Sequence, residues 1–297
     1  MAASMRWTEG FIAVDWGTTN RRAYRLDGSG YCVEEFDDDK GALAVSGGGF
    51  PAAIAEIRER LGDYPLLLAG MIGSNRGWQD AGYVSAPAGI DELVAALVWP
   101  GDREAIVPGV SYLKNDRADV MRGEEVQLLG GVAAGLIDPD GLVCHPGTHN
   151  KWVTMRGGKI NGFRTVMTGE LFSLLKEHSI LSELLNGEVA VNDAFREGAR
   201  QGIFAESLPA ELFAVRARVL LGKARREDAA SFLSGLLIGT DVRIGLAEPL
   251  AAGVVLMGRP ELTKLYSAAI TEARRSSVEL DGERCFLAGI RQIVKRI

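Results

Sequence analysis

The chain has 297 residues, enough for two domains of ordinary size and for a core that needs no disulfide or metal staple. Hydrophobic residues make up 47% and charged residues 24%, with a formal net charge of −6, so the composition is globular and the mild negative field argues against nucleic acid or an anionic membrane as partner. Thirty-seven glycines, about one residue in eight, exceed the usual ~7% and need placing.

Cys32, Cys144 and Cys285 are widely spaced, without a CxxC pair, which reads as reduced cysteines and no structural zinc. The opening residues MAASMRWTEGF lack a basic flank leading into an apolar run, so no signal peptide is expected. No stretch reaches ~18 uninterrupted apolar residues, and a cytoplasmic location is expected.

FIAVDWG (11–17) reads as a short apolar strand ending at an acid and a glycine, and TTNRRAYRLD continues it as the second arm of a hairpin. PAAIAEIRERL (51–61) opens with proline and puts Ile54, Ile57 and Leu61 on one side, which predicts an amphipathic helix. PLLLAGMIG (65–73) is a buried strand running into the loop GSNRGWQ, and AIVPGVSYL (105–113) is a strand interrupted by proline. GEEVQLLGGVAAGL (123–136) reads as a helix with acids in its first turn. The turn cluster IDPDG is the expected boundary, giving domains over 1–138 and 139–297.

Beyond it, LVCHPGTHNKWVTM again reads as strand, glycine turn, strand, and this echo of the first hairpin suggests a duplicated architecture. The rest is mostly helical, through TGELFSLLKEHSILSELL, PAELFAVRARVLLG and REDAASFLSGLLIGTDVRIGL. A strand GVVLMG (253–258), a helix ELTKLYSAAITEARR and a tail helix CFLAGIRQIVKRI complete it. The absence of a short-period repeat removes solenoids.

DWGTTNRR places Asp15 beside a glycine turn, where the N–H groups and hydroxyls of Gly17, Thr18, Thr19 and Asn20 can surround a phosphate, with Arg22 close behind. Phosphoryl transfer needs such donors for its spreading negative charge and a carboxylate to hold hydrated Mg²⁺. The same residues also serve a plain hairpin whose Asp and Thr cap the turn. The second hairpin, with Gly147 and Thr148 in its turn and Asn150 and Lys151 behind, favours the phosphate reading.

Gly47-Gly48-Gly49-Phe50-Pro51-Ala52 fits the dinucleotide pattern G-x-G-x-x-A, but only a four-residue apolar run precedes it and Pro51 sits inside the turn; a surface loop capping the 51–61 helix is the better reading. No Walker P-loop and no G-x-S-x-G elbow occurs.

Asp15-Trp16-Gly17-Thr18-Thr19-Asn20, followed by Arg22, is similar to the first phosphate motif of the actin-like ATPase superfamily of sugar kinases, and MGRPELTKLY (257–266) resembles its adenosine motif. Within the superfamily the chain most resembles the 2-dehydro-3-deoxygalactonokinase family, through DWGTTNRRAY, AGMIGSNRGW, VMRGEE, HPGTHNKWV, FRTVMTGEL, FLSGLLIG and FLAGIR. The resemblance implies an α/β protein of two ribonuclease-H-like domains around a central cleft. It implies an ATP- and Mg²⁺-dependent kinase acting on the C6 hydroxyl of 2-dehydro-3-deoxy-D-galactonate, in galactonate breakdown. A kinase for a related acid such as 2-dehydro-3-deoxy-gluconate, or a non-kinase member acting as an ATP-gated binding module, are the alternatives. A small-molecule sugar acid is then the partner, and a homo-oligomer is compatible with the sequence.

Under this resemblance Asp15 positions Mg²⁺ through water, the turns at Gly17–Thr19 and Gly147–Thr148 hold phosphates, and Gly258 clears room for the adenosine. The superfamily's second phosphate loop usually begins with Asp, whereas here His145 and Pro146 precede Gly147, so metal coordination is not carried over to that side; Asn150 or Lys151 supplies the polarity instead. Pro146 and Gly147 also exclude a helical metal pair of His145 with His149. The general base is a carboxylate, Glu124 or Glu125, one acting while the other caps the helix, with Asp116 and Asp119 next in order. Ser74, Asn75 and Arg76 offer donors to the substrate carboxylate, Trp78 lies against the sugar's carbon face or in the core, and Arg122 and Arg164 are further candidates. Gly235, Gly239 and Gly289, inside apolar helices, read as close helix packing, in the resembling family near the nucleotide.

Overall fold

The computed structural model describes residues 7–45, 48–247 and 253–297. They fall into two compact units: the chain up to Asp140 with Met155–Gly162 and Gly282–Ile297, and Gly141–Thr154 with Phe163–Asp281.

In the first unit, β1 (Gly10–Trp16), β2 (Arg21–Asp27) and β3 (Cys32–Asp38) form an antiparallel meander. After α1 (Phe50–Leu61), β4 (Leu66–Gly70) pairs parallel to β1. Then come β5 (Tyr83–Ser85), α2 (Ile90–Ala95), β6 (Val98–Gly101), β7 (Glu104–Ile106), β8 (Gly109–Lys114), β9 (Arg117–Met121) and α3 (Glu124–Ala133). The main sheet runs β3-β2-β1-β4-β7-β6, and β5, β8 and β9 make a small second sheet. The central strands β1 and β4 are apolar on both faces, as a covered parallel pair requires. The helix α1, with Pro51 in its first turn, lays Ile54, Ile57 and Leu61 against Ile12, Val14, Leu66 and Leu68. Pro108 falls between β7 and β8, so the proline-broken apolar run becomes two strands in different sheets.

The second unit contains β10 (Leu142–His145), β11 (Asn150–Arg156) as far as Thr154, β12 (Lys159–Val166) from Phe163, α4 (Thr168–His178), α5 (Asp193–Phe204), α6 (Leu208–Leu220), α7 (Ala229–Gly245), β13 (Val254–Met257), α8 (Pro260–Glu272) and β14 (Ser277–Leu280). Its sheet runs β12-β11-β10-β13-β14, the same path that β3-β2-β1-β4-β7 takes in the first unit: a hairpin, a strand beyond it, and two parallel strands on the other side. The duplicated α/β architecture is therefore present. The final helix α9 (Gly282–Val294) belongs to the first unit.

Helix glycines account for part of the excess. A Cβ at Gly198, Gly202, Gly235 or Gly239 would collide with a carbonyl oxygen of the facing helix, so α5 and α7 approach backbone to backbone. Gly130 and Gly289 do the same for α3 and α9. Among the described residues no helix is long and apolar enough to cross a membrane.

Candidate active site

Asp15 lies near the end of β1, opposite Arg22 across the hairpin and beside Ala69 of β4. Burial pushes its carboxyl up to about 6; Arg22 pulls it down, the charge of Glu124 adds to the rise, and a hydrogen bond from the Gln127 side chain lowers it. Glu124 and Gln127, three residues apart on α3, present one helix face to Asp15. Gln127 belongs to no motif, and its spacing from Glu124 is the only cue the sequence holds for it.

The turn after β1 is closed by backbone bonds: the Gly17 N–H donates to the Asn20 carbonyl (2.9 Å), Gly41 to Thr19 (3.0 Å) and Ala42 to Gly17 (2.9 Å). The side chains of Thr18, Thr19, Asn20 and Arg22 are left exposed. Arg21, by contrast, is wholly buried, paired with Asp38 at 2.7 Å and laid over the Trp16 ring. Of the two adjacent arginines, one is a structural clamp and the other flanks Asp15.

The adjacent acids at the start of α3 differ in the same way. Glu125 is fully buried, and both its oxygens accept the Gly123 N–H, at 2.9 and 2.7 Å. Burial first, then the neighbouring Glu124, pushes its carboxyl up to about 8. Glu124 is half-buried and accepts the Arg122 N–H at 3.1 Å. Asp116 sits with Asn115 in the positive-φ turn joining β8 to β9, and Asp119 lies on β9. Neither is on the helix that faces Asp15.

In the GSNRGW loop, the Ser74 hydroxyl is buried, donating to the Met71 carbonyl (2.8 Å) and accepting the Arg76 N–H (3.2 Å), so it shapes the loop rather than facing outward. Asn75 and Arg76 are exposed; Trp78 packs on the core cluster of Ile12 and Ile72. Arg122 is drawn in beside this loop. Its Nη2 donates to the Gly82 carbonyl (2.9 Å) and its guanidinium lies over the Tyr83 ring at 4.5 Å. Its Nε and Nη1 are buried with no acceptor among the described residues. Arg164 is exposed on β12.

In the second unit His145 ends β10 opposite Lys151, as Asp15 stands opposite Arg22 in the first. Gly147 and Thr148 occupy the turn, and the N-terminus of α4 lies against it. A Cβ on Gly169 would lie 2.8 Å from the Gly147 oxygen, and the Glu170 N–H donates to the Thr148 carbonyl at 3.1 Å. His149 pairs with Glu170 rather than with His145. At Gly258 a Cβ would lie 3.0 Å from the Pro146 carbonyl oxygen, so the end of β13 packs closely against the turn that carries Gly147.

Asn150 and Lys151, expected to face a nucleotide, have their side chains buried. The Lys151 Nζ donates to Thr165 Oγ1 at 2.8 Å. The Asn150 amide donates to both oxygens of Asp241 at 3.0 Å, while its oxygen accepts from the Cys144 thiol at 3.3 Å. Next to Gly147 and Gly169 opens an apolar recess walled by Phe172 of α4, Leu237 and Ile238 of α7, and Leu262, Leu265 and Tyr266 of α8. This recess is the main feature that the motifs did not reveal, because its walls come from three separate helices whose apolar residues read as ordinary core. The dinucleotide pattern at 47–52 is not followed up by the fold: Gly47 lies outside the described residues, and a single 3₁₀ turn at Ala42–Ala44 stands where a strand would be needed.

A family model described as 2-keto-3-deoxy-galactonokinase matches residues 15–293. The chain is 38% identical to the 2-dehydro-3-deoxygalactonokinase of Escherichia coli K12, over 98% of this chain and 99% of that one. A solved structure from Sinorhizobium meliloti, described as the same kinase, superposes with a TM-score of 0.90 at 33% identity, covering 96% of this chain and 98% of the other. An activator of 2-hydroxyisocaproyl-CoA dehydratase from Clostridium difficile, solved with bound ADPNP, shares the fold at a TM-score of 0.50 and 11% identity, covering 97% of this chain and 94% of that one.

Proposed function

The chain belongs to the 2-keto-3-deoxy-galactonokinase family, and from that premise we propose that it transfers the γ-phosphoryl group of ATP to the C6 hydroxyl of 2-dehydro-3-deoxy-D-galactonate, in the breakdown of galactonate. ATP as donor points to the cytoplasm. The observation that carries the reading is the repeated hairpin: Asp15 before an exposed Gly-Thr-Thr turn in one unit, and a Gly-Thr turn beside an apolar recess in the other.

Asp15 is the residue that fits a hydrated Mg²⁺. A carboxylate pushed up to about 6 by burial is returned to its ionised form by a nearby cation, and Thr18 and Thr19 beside it leave their hydroxyls exposed. Mg²⁺ there would neutralise charge on the phosphate oxygens. The backbone N–H groups and hydroxyls of Thr18 and Thr19 and the Asn20 side-chain amide, on the turn that Gly17 closes, stabilise with Arg22 the charge that spreads over the transferring group. In the second unit Gly147 and Thr148 hold phosphate oxygens, and the recess walled by Phe172 and Leu262 takes the adenine. Glu124, half-buried and electrostatically coupled to Asp15, draws the proton from the attacking hydroxyl, while Glu125 caps the helix. Arg76 and Asn75 donate to the substrate carboxylate, with the unmatched Nε and Nη1 of Arg122 behind them.

Purified protein given ATP and Mg²⁺ should release ADP with 2-dehydro-3-deoxy-D-galactonate and not without it. ADP release indifferent to sugar acids would overturn the kinase reading in favour of an ATP-gated module, and a preference for 2-dehydro-3-deoxy-gluconate would reassign the substrate.

A further inference from the structure

Asp241 lies in the C-terminal part of α7, wholly buried, and no motif marks it. Four side chains donate to its carboxylate. Asn150 Nδ2 reaches both oxygens at 3.0 Å, Trp152 Nε1 reaches Oδ1 at 2.7 Å, and the hydroxyls of Thr168 and Tyr266 reach Oδ2, each at 2.5 Å. The Cys144 thiol, donating to the Asn150 oxygen, fixes which way that amide is turned. A buried carboxylate is costly unless its lone pairs are matched, and this one is matched entirely by donors.

The donors belong to the pieces that surround the nucleotide side of this unit. Asn150 is the first residue of β11, directly after the Gly147–Thr148 turn. Thr168 opens α4, one residue before the Gly169 that presses on that turn. Tyr266 stands on α8 in the wall of the recess. Resting on the kinase reading, we infer that Asp241 is a positioning residue for ATP: one carboxylate ties the phosphate turn, the start of α4 and the adenine wall into a fixed arrangement. It touches none of the reacting atoms and acts through Asn150, Thr168 and Tyr266. The role explains why Asn150 follows the turn without facing outward.

Asp241→Asn keeps the shape but puts an amide N–H₂ group among donors, and the Trp152 N–H cannot turn to accept it. The expected result is a KM for ATP raised about ten-fold or more, with the sugar-acid KM unchanged and kcat at saturating ATP within about three-fold of wild type. Tyr266→Phe and Thr168→Val each remove one donor and are expected to raise the ATP KM by a smaller factor; they carry the test if Asp241→Asn does not fold. A lowered melting temperature with an unchanged ATP KM in the variants that fold would overturn the inference and leave Asp241 a structural residue. Wild-type protein that fails to phosphorylate any sugar acid would instead sink the kinase reading, and isothermal titration with ADP would still measure the nucleotide site.

Discussion

Asp15 and Arg22 stand directly opposite one another across the β1–β2 hairpin, and the arginine opposes the rise that burial imposes on the carboxyl. Replacing Asp15 by Asn removes the negative charge while keeping the size. We expect kcat to fall by about 10³-fold or more, with circular dichroism unchanged and a melting temperature no lower than wild type. Near-normal turnover would remove Asp15 from the phosphate site.

Glu124 and Glu125 are told apart by kinetics. Glu124→Gln is expected to lower kcat by about 10²- to 10⁴-fold with both KM values within a few-fold of wild type, the signature of a lost general base. If Glu125→Gln shows that pattern and Glu124→Gln does not, the roles are exchanged.

The buried Glu125 also makes a prediction about pH. Its carboxyl is pushed up to about 8 in the folded chain from an ordinary 4.5, so the native state holds its proton more tightly than the unfolded state. That contribution to stability is complete below pH 4.5 and is lost as the pH rises through 8. Glu125→Gln never ionises and still offers an oxygen to the Gly123 N–H. Its melting temperature relative to wild type should therefore climb from pH 5 to pH 9, by an amount on the order of a few kcal/mol in stability. Parallel pH profiles would contradict the protonated cap.

Sequence and structure agree where chemistry demands a local pattern. The strand-turn-strand at Asp15 and its echo at Gly147, the proline-opened helix at 51–61 and the acids opening α3 are all carried by residues within one turn of each other. What was not legible came from distant partners. The acidic edge strand β3 and the polar strand β9 lack an apolar alternation, and α5 buries a face in which Gly198 and Gly202 alternate with Phe195 and Ala199, so half of the surface that meets α7 carries no side chain to read. Asn150 and Lys151 carry the right chemistry for a phosphate and yet turn inward, because Asp241 and Thr165, far along the chain, claim their side chains.

The substrate carboxylate can be located by two arginines. Arg76→Ala is expected to raise the sugar-acid KM about ten- to hundred-fold and leave the ATP KM unchanged, as loss of a charge-assisted hydrogen bond predicts. An unchanged sugar-acid KM in Arg76→Ala, with a raised one in Arg122→Met, would move the anion contact to the buried guanidinium beside Gly73.

At Gly169 a single methyl group is enough to disturb the second turn. The added carbon would lie 2.8 Å from the Gly147 oxygen and 2.9 Å from the Thr148 Cα, so one of the two backbones must shift. Gly169→Ala is expected to weaken nucleotide binding by about 1–3 kcal/mol, read as a raised dissociation constant for ADP by calorimetry. Wild-type affinity would show that the turn and α4 can part without consequence.

The place of α9 has a consequence for how the protein is made. Gly130 and Gly289 let α3 and α9 meet backbone to backbone, yet the ribosome delivers α9 only after every residue of the second unit. Until then the nascent first unit carries Val126 and Gly130 without the helix that covers them. Emergence of α9, rather than of the first hairpin, sets the moment at which that unit can close.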